Sequence, residues 1–380
     1  MNRNKKKIIR AVTVSMSVDF FTPMVKDLQQ HGYDVVSVSS PGPELEGLNA
    51  MGVKTIEVPM ERRMSPLKDI KSLLALVKVF RQERPYMVHS MTPKAGLLCM
   101  LAAWLTQVPR RVHTFTGLVW PTATGLARKI LMFTDWLTCS CATHIIPEGE
   151  GVKQDLQQYI TNKPMKVLGY GNVRGVDMQR FSKRPEVMTL ANDIRNNNKF
   201  TFLFVGRIVG DKGINELTIA FQKLQKEFNN IRLLLVGRFE EQLDPLKPET
   251  IEAIKSNPDI VHVGAKYDDD LLAHYAASDC FVFPSYREGF PNTVMEAGAM
   301  DLPCIVTDIN GSREIIEHGK NGVIIPSKDV DALYDAMKEM VQNREKTSYY
   351  ASNARQIIAD RFEQRFVRKC LYEFYEEISK

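Results

Sequence analysis

Two stretches of this 380-residue chain hold groups whose types and spacing could do chemistry. The first, Val205-Gly206-Arg207-Ile208-Val209-Gly210-Asp211-Lys212-Gly213, directly follows a strand-like apolar run, Phe200 to Val205. Its spacing is neither that of the P-loop, G-x-x-x-x-G-K-[ST], nor G-x-G-x-x-G, which disfavours an ATPase or a dinucleotide dehydrogenase. Lys212 precedes a helical pattern that begins near Ile214, where the helix dipole disfavours a cation. A bound anion would remove that conflict, and Gly206, Gly210 and Gly213 would let the backbone approach a diphosphate closely. The plainer alternative makes Arg207 and Lys212 solvated loop charges, and for either residue alone the two readings weigh equally.

The second stretch, Tyr286-Arg287-Glu288-Gly289-Phe290-Pro291-Asn292-Thr293-Val294-Met295-Glu296, follows another strand-like run, Phe281 to Pro284. Pro291 suits a helix start, leaving the N–H groups of Asn292, Thr293 and Val294 at a helix terminus where they could face phosphate. The dipole favours a carboxylate at Glu296, near the start of that helix, whereas Glu288 lies in the loop before it and has no such structural reason. Glutamates eight apart are common by chance. The place of this pair, at a strand end downstream of the glycine and lysine loop, makes it informative. Asp268-Asp269-Asp270 contains a D-x-D pattern used by metal-dependent enzymes, but it opens the helical run Leu271, Leu272, Tyr275 and is expected to cap that helix.

These loops need elements to hold them. Strand-like runs in the first half are Ile8 to Met16, Asp34 to Val38, Val53 to Val58, Met87 to His89, Arg111 to Phe115, His144 to Ile146 and Lys166 to Leu168. The second half restarts with Phe200 to Val205, Arg232 to Val236, Val261 to Val263, Phe281 to Pro284, Ile305 to Val306 and Val323 to Ile325. Helical patterns alternate with them, which predicts two doubly wound α/β domains with parallel sheets. The expected division is residues 1–181, a polar linker at 182–198 containing Pro185 and Asn196-Asn197-Asn198, a second domain at 199–362, and a terminal helix at 363–380 docking back on the first domain. Ligands of such sheets bind beyond the carboxyl ends of the strands, where both stretches lie.

Composition excludes other classes. The longest apolar stretch, Ala95 to Leu105, falls well short of the roughly 20 residues of a bilayer span. Arg10, Thr13 and Ser15 break up the apolar run behind Lys5, Lys6 and Lys7, so a first strand fits better than a signal peptide. Six scattered cysteines without ligand spacing suit a reducing cytoplasm. The net charge of +5 divides into +11 up to Leu190 and −6 beyond it, so the first half is expected to meet something acidic.

With these residues in place, the chain resembles the retaining GT-B glycosyltransferases of family 4, a group that works in bacterial capsule, O-antigen and lipid-linked oligosaccharide assembly. Glu288 and Glu296 match its E-x7-E signature, and Gly206-Arg207 with Lys212-Gly213 match its diphosphate loop. Gly171-Asn172-Val173-Arg174-Gly175-Val176-Asp177 to Phe181 matches its approach to the interdomain linker, and His89 to Leu98 and Arg111 to Trp120 extend the likeness over nearly the whole chain. The resemblance implies two Rossmann-like domains facing across a cleft, a nucleotide-sugar donor, retention at the anomeric carbon, and no cofactor or catalytic metal. It implies that Arg207 and Lys212 neutralise the diphosphate, Glu296 binds ribose, Glu288 faces the sugar and Gly264 lies near the base. Phe290, Asn292, Thr293 and Val294 complete the donor side with Gly206 and Gly213. The family's T-x-H histidine is replaced here, because Thr114-Phe115-Thr116 puts threonine in its place. The catalytic position therefore belongs to Thr116 or to His113 two residues earlier, and a core or edge role for His113 is an equal alternative.

UDP is the expected nucleotide and a polyprenyl-diphosphate-linked sugar the expected acceptor. Lys94, after Pro93 at the start of a helix, is the candidate for its pyrophosphate. Basic and apolar residues interleave from Arg62 to Arg84 and from Leu118 to Leu137, which suggests a peripheral enzyme on an anionic cytoplasmic membrane face. The alternatives are a non-hydrolysing nucleotide-sugar epimerase and a basic nucleic-acid-binding protein. The second is disfavoured because the clustered motifs of known modules are missing.

Overall fold

A computed structural model describes residues 6–240 and 244–380, so Lys5 of the basic start lies outside the described residues. The chain forms two compact units. The first comprises the described residues up to Arg174 together with Arg365–Lys380, and the second comprises Gly175–Gln364.

In the first unit six parallel strands, β1 (Lys6–Ala11), β2 (Tyr33–Ser39), β3 (Lys54–Glu57), β4 (Met87–Met91), β5 (Arg110–Phe115) and β6 (His144–Pro147), lie in the order β3-β2-β1-β4-β5-β6. The second unit repeats that topology with β7 (Phe200–Val205), β8 (Ile231–Val236), β9 (Ile260–His262), β10 (Cys280–Phe283), β11 (Cys304–Thr307) and β12 (Gly322–Ile325), ordered β12-β11-β10-β7-β8-β9. This is the doubly wound order, in which the chain reverses direction across the sheet beside the first strand. Helices cover both faces, and for that reason a strand such as Phe200–Val205 is buried along its whole length and reads as an unbroken apolar run.

Alternation along β1 divides the first core. Ile9 and Ala11 pack with Leu76, Phe80, Leu98 and Cys139 on one face, while Ile8 packs with Val35, Met87, Val112 and Phe374 on the other. The Gln364–Glu377 helix supplies that second face through Leu371, Phe374 and Tyr375, so the terminal helix belongs to the first unit.

Three expectations need correction. β1 ends at Ala11: the Val12 N–H still bonds the Val38 carbonyl (3.0 Å) and the Ser40 N–H the Thr13 carbonyl (3.1 Å), but the chain then winds into a 3₁₀ turn at Ser15–Phe20. Lys166–Leu168 forms no strand: the Lys166 N–H reaches the Ile145 carbonyl at 3.2 Å, but pairing goes no further. The polar stretch 182–198, expected as a hinge-like linker, is largely helical. Pro185 opens a helix, Pro185–Ile194, and its Val187 and Ala191 bury in the second core. The second unit instead begins at Gly175, where the Val176 N–H bonds the Phe362 carbonyl (2.8 Å) and the Gln364 N–H bonds the Val176 carbonyl (2.9 Å).

Candidate functional site

In the second unit the carboxyl ends of four neighbouring strands gather the expected residues. Gly206, Gly237 and Gly264 follow β7, β8 and β9 side by side, joined by bonds from Gly206 N–H to Val236 O (2.9 Å) and from Gly237 N–H to Gly264 O (2.9 Å). A Cβ on Gly237 would run into the Gly206 carbonyl, so the row closes up only with glycine there. Gly264 has φ +74° and open space where a Cβ would stand. Gly237 escaped the sequence reading, although Val236-Gly237-Arg238 repeats Val205-Gly206-Arg207 one strand over.

The two motif stretches meet at this edge. The Tyr286 N–H bonds the Asp211 carbonyl (2.8 Å), and Gly213, at φ +72°, lies so close to the Pro284 carbonyl that any β-carbon would collide with it. Lys212 sits in a 3₁₀ turn, Gly210–Lys212, directly before the Ile214–Gln225 helix. Its ammonium pairs with Glu288 above the Phe283 ring, and Ser285 Oγ donates to the same carboxylate at 2.8 Å. The unfavourable place of Lys212 at a helix start is therefore offset inside the protein by Glu288, without a bound anion. Arg207 lies 3.1 Å from Glu240 and 3.9 Å from Asp211, and Arg287 lies 3.0 Å from Asp211. Sequence reasoning missed Asp211, Glu240 and Arg287, since only folding shows that Arg207, Lys212 and Arg287 each face a carboxylate.

The Asn292–Ala299 helix begins where Pro291 predicts. Val294 N–H, expected to face phosphate, instead bonds the Pro291 carbonyl at 3.2 Å. Its side chain is fully buried, and Phe290 packs on Phe362 with ring centroids 5.3 Å apart, so both side chains serve the core. Asn292 and Thr293 form the helix start. Glu296 is the fifth residue, just past the first turn, and is 9% exposed. It accepts a 3.2 Å bond from Tyr275, whose phenol is pushed well up by burial and by Glu296 itself and so keeps its proton to donate.

Asp268-Asp269-Asp270 occupies the first turn of the Asp268–Ala276 helix, but no aspartate side chain caps it. Its carboxylates pair with Arg180 (2.9 Å), Arg184 (2.5 Å) and Lys266 (3.1 Å).

In the first unit His113 is 1% exposed and wedged between β5 and the Pro93–Leu105 helix. Its ring lies against Gly96, where a Cβ would collide with it, and Nδ1 is 2.9 Å from Ser90 Oγ. Burial brings its pKa down to about 3, so the ring is neutral near pH 7. The structure therefore places His113 in the core. Thr116 is half-buried one residue beyond β5. Lys94, 9% exposed in its side chain, spans both Asp69 oxygens (2.8 and 2.9 Å) on the Pro66–Glu83 helix, so its charge too has a partner within the protein. Thr92 just before it adopts φ 70°, ψ 144°, a strained conformation for threonine. Its hydroxyl is 2.8 Å from that of Thr13, which accepts the Ala95 N–H at 3.1 Å.

Comparison with known proteins gives this rim a context. Residues 190–357 match the family described as glycosyl transferases group 1, and residues 19–171 match the glycosyl transferase 4-like domain. The chain is similar to the capsular polysaccharide biosynthesis glycosyltransferase CapM of Staphylococcus aureus, with 30% identity over 99% of this chain and 98% of that one. It is also similar to the UDP-Gal:alpha-D-GlcNAc-diphosphoundecaprenol alpha-1,3-galactosyltransferase of Escherichia coli, with 28% identity over 74% of this chain and 73% of that one. Its fold matches the crystal structure of Anabaena Alr3699/HepE in complex with UDP and glucose, with a TM-score of 0.81, 17% identity, and coverage of 98% of this chain and 100% of that one. Two doubly wound parallel sheets, the glycine and lysine loop, the Glu288 and Glu296 pair and these full-length likenesses together show that the chain belongs to the group 1 glycosyltransferases of family 4, with the GT-B fold.

Proposed function

We propose that the protein transfers a hexose or N-acetylhexosamine, with retention, from a UDP-sugar to a sugar carried on a polyprenyl diphosphate. The reading rests first on one observation, the convergence of Arg207, Lys212 and Glu288 with the start of the Asn292–Ala299 helix at one strand edge of the second unit. Positive groups and helix-terminal N–H groups suit a departing diphosphate, whose charge grows as the glycosidic bond breaks. Glu288 would face the sugar, where positive charge develops, and Glu296 the ribose. Gly264 would lie near the base. The acceptor oxygen would attack from the face that the diphosphate leaves, passing its proton to a donor phosphate oxygen. We propose no metal in this step, because Asp268, Asp269 and Asp270 are engaged by Arg180, Arg184 and Lys266. Activity that survives chelation is the expected result.

The lipid-linked acceptor and a place at an anionic cytoplasmic membrane face are supported by the first unit's surface. Among the described residues no helix is long and apolar enough to cross a membrane. Three packed helices, Pro66–Glu83, Pro93–Leu105 and Gly125–Cys141, nevertheless leave large apolar side chains in solvent. Leu67 (79%), Leu126 (72%), Phe133 and Trp136 stand out among exposed Lys68, Lys71, Arg128 and Lys129. Interleaved apolar and basic groups suit a bilayer interface, at about 1 kcal/mol per basic residue. The E. coli relative, by its name, acts on a diphosphoundecaprenol-linked sugar. The test is transfer from UDP-sugars to undecaprenyl-diphosphate saccharides and to soluble sugars, with flotation on anionic and neutral liposomes. Full activity on soluble acceptors without flotation on anionic vesicles would overturn the acceptor reading.

A further inference from the structure

Arg10 sits on β1 with its side chain on the face covered by the Gln364–Glu377 helix, and it is 1% exposed. Every hydrogen-bond partner of its guanidinium is neutral. One terminal nitrogen reaches His89 Nδ1 (3.1 Å) and Tyr375 Oη (2.6 Å), and the other reaches Met91 Sδ (3.2 Å). His89 cannot be a counter-charge. Burial first, then Arg10, then His113 push its pKa well below the usual value, and with Nδ1 accepting from Arg10 and Tyr375 (2.5 Å) its proton sits on Nε2, facing Thr114 Oγ1 at 2.7 Å. The Tyr375 phenol is pushed up by burial and stays protonated. No acidic side chain pairs with Arg10 among the described residues, and its Nε–H has no partner.

A guanidinium keeps its charge in any protein setting, and a buried charge without a counter-charge is strongly destabilising. Arg10 also lines a cavity of about 10 Å³, together with Thr114, Asn172, Leu168 and Leu371. That is room for one particle about the size of a water molecule. A polyatomic anion such as sulfate is too large. We propose that this cavity is a halide site, in which one chloride ion accepts from Arg10 Nε and supplies the missing negative charge. Its place beneath the Gln364–Glu377 helix makes it a fastener for the last element of the first unit.

The test is thermal unfolding of the full chain in potassium chloride and in potassium gluconate at equal ionic strength, for the wild type and for Arg10→Met. Above half-saturation each tenfold rise in chloride should raise the wild-type Tm by about 3–5 °C over gluconate, and the variant should show no difference. Arg10→Met could fold poorly, so crystals grown in bromide give a second reading. An anomalous peak beside Arg10 Nε supports the site, and a water molecule there without anomalous signal overturns it. An equal Tm in both salts, or a chloride increment that Arg10→Met keeps, also overturns it. None of these outcomes depends on sugar transfer.

Discussion

Replacing Glu288 by glutamine keeps its size and removes its charge, so the variant isolates what the carboxylate does to Lys212. The two side chains are paired and only 13% and 16% exposed. At about 4 Å and an effective dielectric of about 20, their gross attraction is about 4 kcal/mol, most of it offset by desolvation. An incoming diphosphate must share the ammonium with a carboxylate that repels it. If the net opposition is about 1 kcal/mol, Glu288→Gln should bind free UDP about five times more tightly, read by calorimetry. Transfer should fall by about 10² or more, because Glu288 would stabilise charge only as the sugar bond breaks. The ligand-free variant should also melt at lower temperature and recover with UDP, since Lys212 loses its partner. Weaker UDP binding together with retained turnover would refute both the competition at Lys212 and the role on the sugar.

Lys212→Ala should weaken UDP binding and transfer together, and normal values of both would remove it from the site. Gly213→Ala should destabilise the second unit by at least about 2 kcal/mol, combining a left-handed backbone with a clash at the Pro284 carbonyl. An unchanged Tm would show that the loop can move. His113 is neutral when folded, with a pKa of about 3, and near 6.5 when unfolded, so its contribution is fully present above pH 6.5 and is lost as the pH falls toward 3. His113→Asn should remove about 1.4 kcal/mol per pH unit from that slope, and denaturant unfolding at pH 4, 5 and 6 measures it. Thr116→Val should reduce transfer more than it reduces stability, whereas a variant as active as the wild type would leave Thr116 outside the chemistry.

Much of the architecture was legible because parallel strands covered on both faces must be apolar throughout, as Phe200–Val205 is, and because loops after strands carry the polar chemistry. What escaped was set by contacts between residues far apart in the chain. Lys94 looked unpartnered until folding brought Asp69 onto it from another helix. Lys212 looked as though it needed an outside anion because Glu288 follows 76 residues later. His113 has the alternation of a strand-edge residue, but Gly96 on the covering helix makes room for its ring and so buries it. The stretch 182–198 read as linker because polar composition hides the apolar pair, Val187 and Ala191, that anchors a helix.

The division of the chain has a consequence for its synthesis. The helix that covers Ile8, Val35 and Arg10 belongs to the first unit but is separated from Arg174 by the 190 residues of Gly175–Gln364. At about 5–20 residues per second a ribosome needs about 10–40 s to cross that interval. During that time the second unit can close on itself, while the first waits with an apolar sheet face and a buried-to-be arginine open to solvent. Chaperone binding to nascent chains should therefore concentrate on the amino-terminal half and end only when the final helix emerges. Order of synthesis and order of completion run in opposite directions in this enzyme.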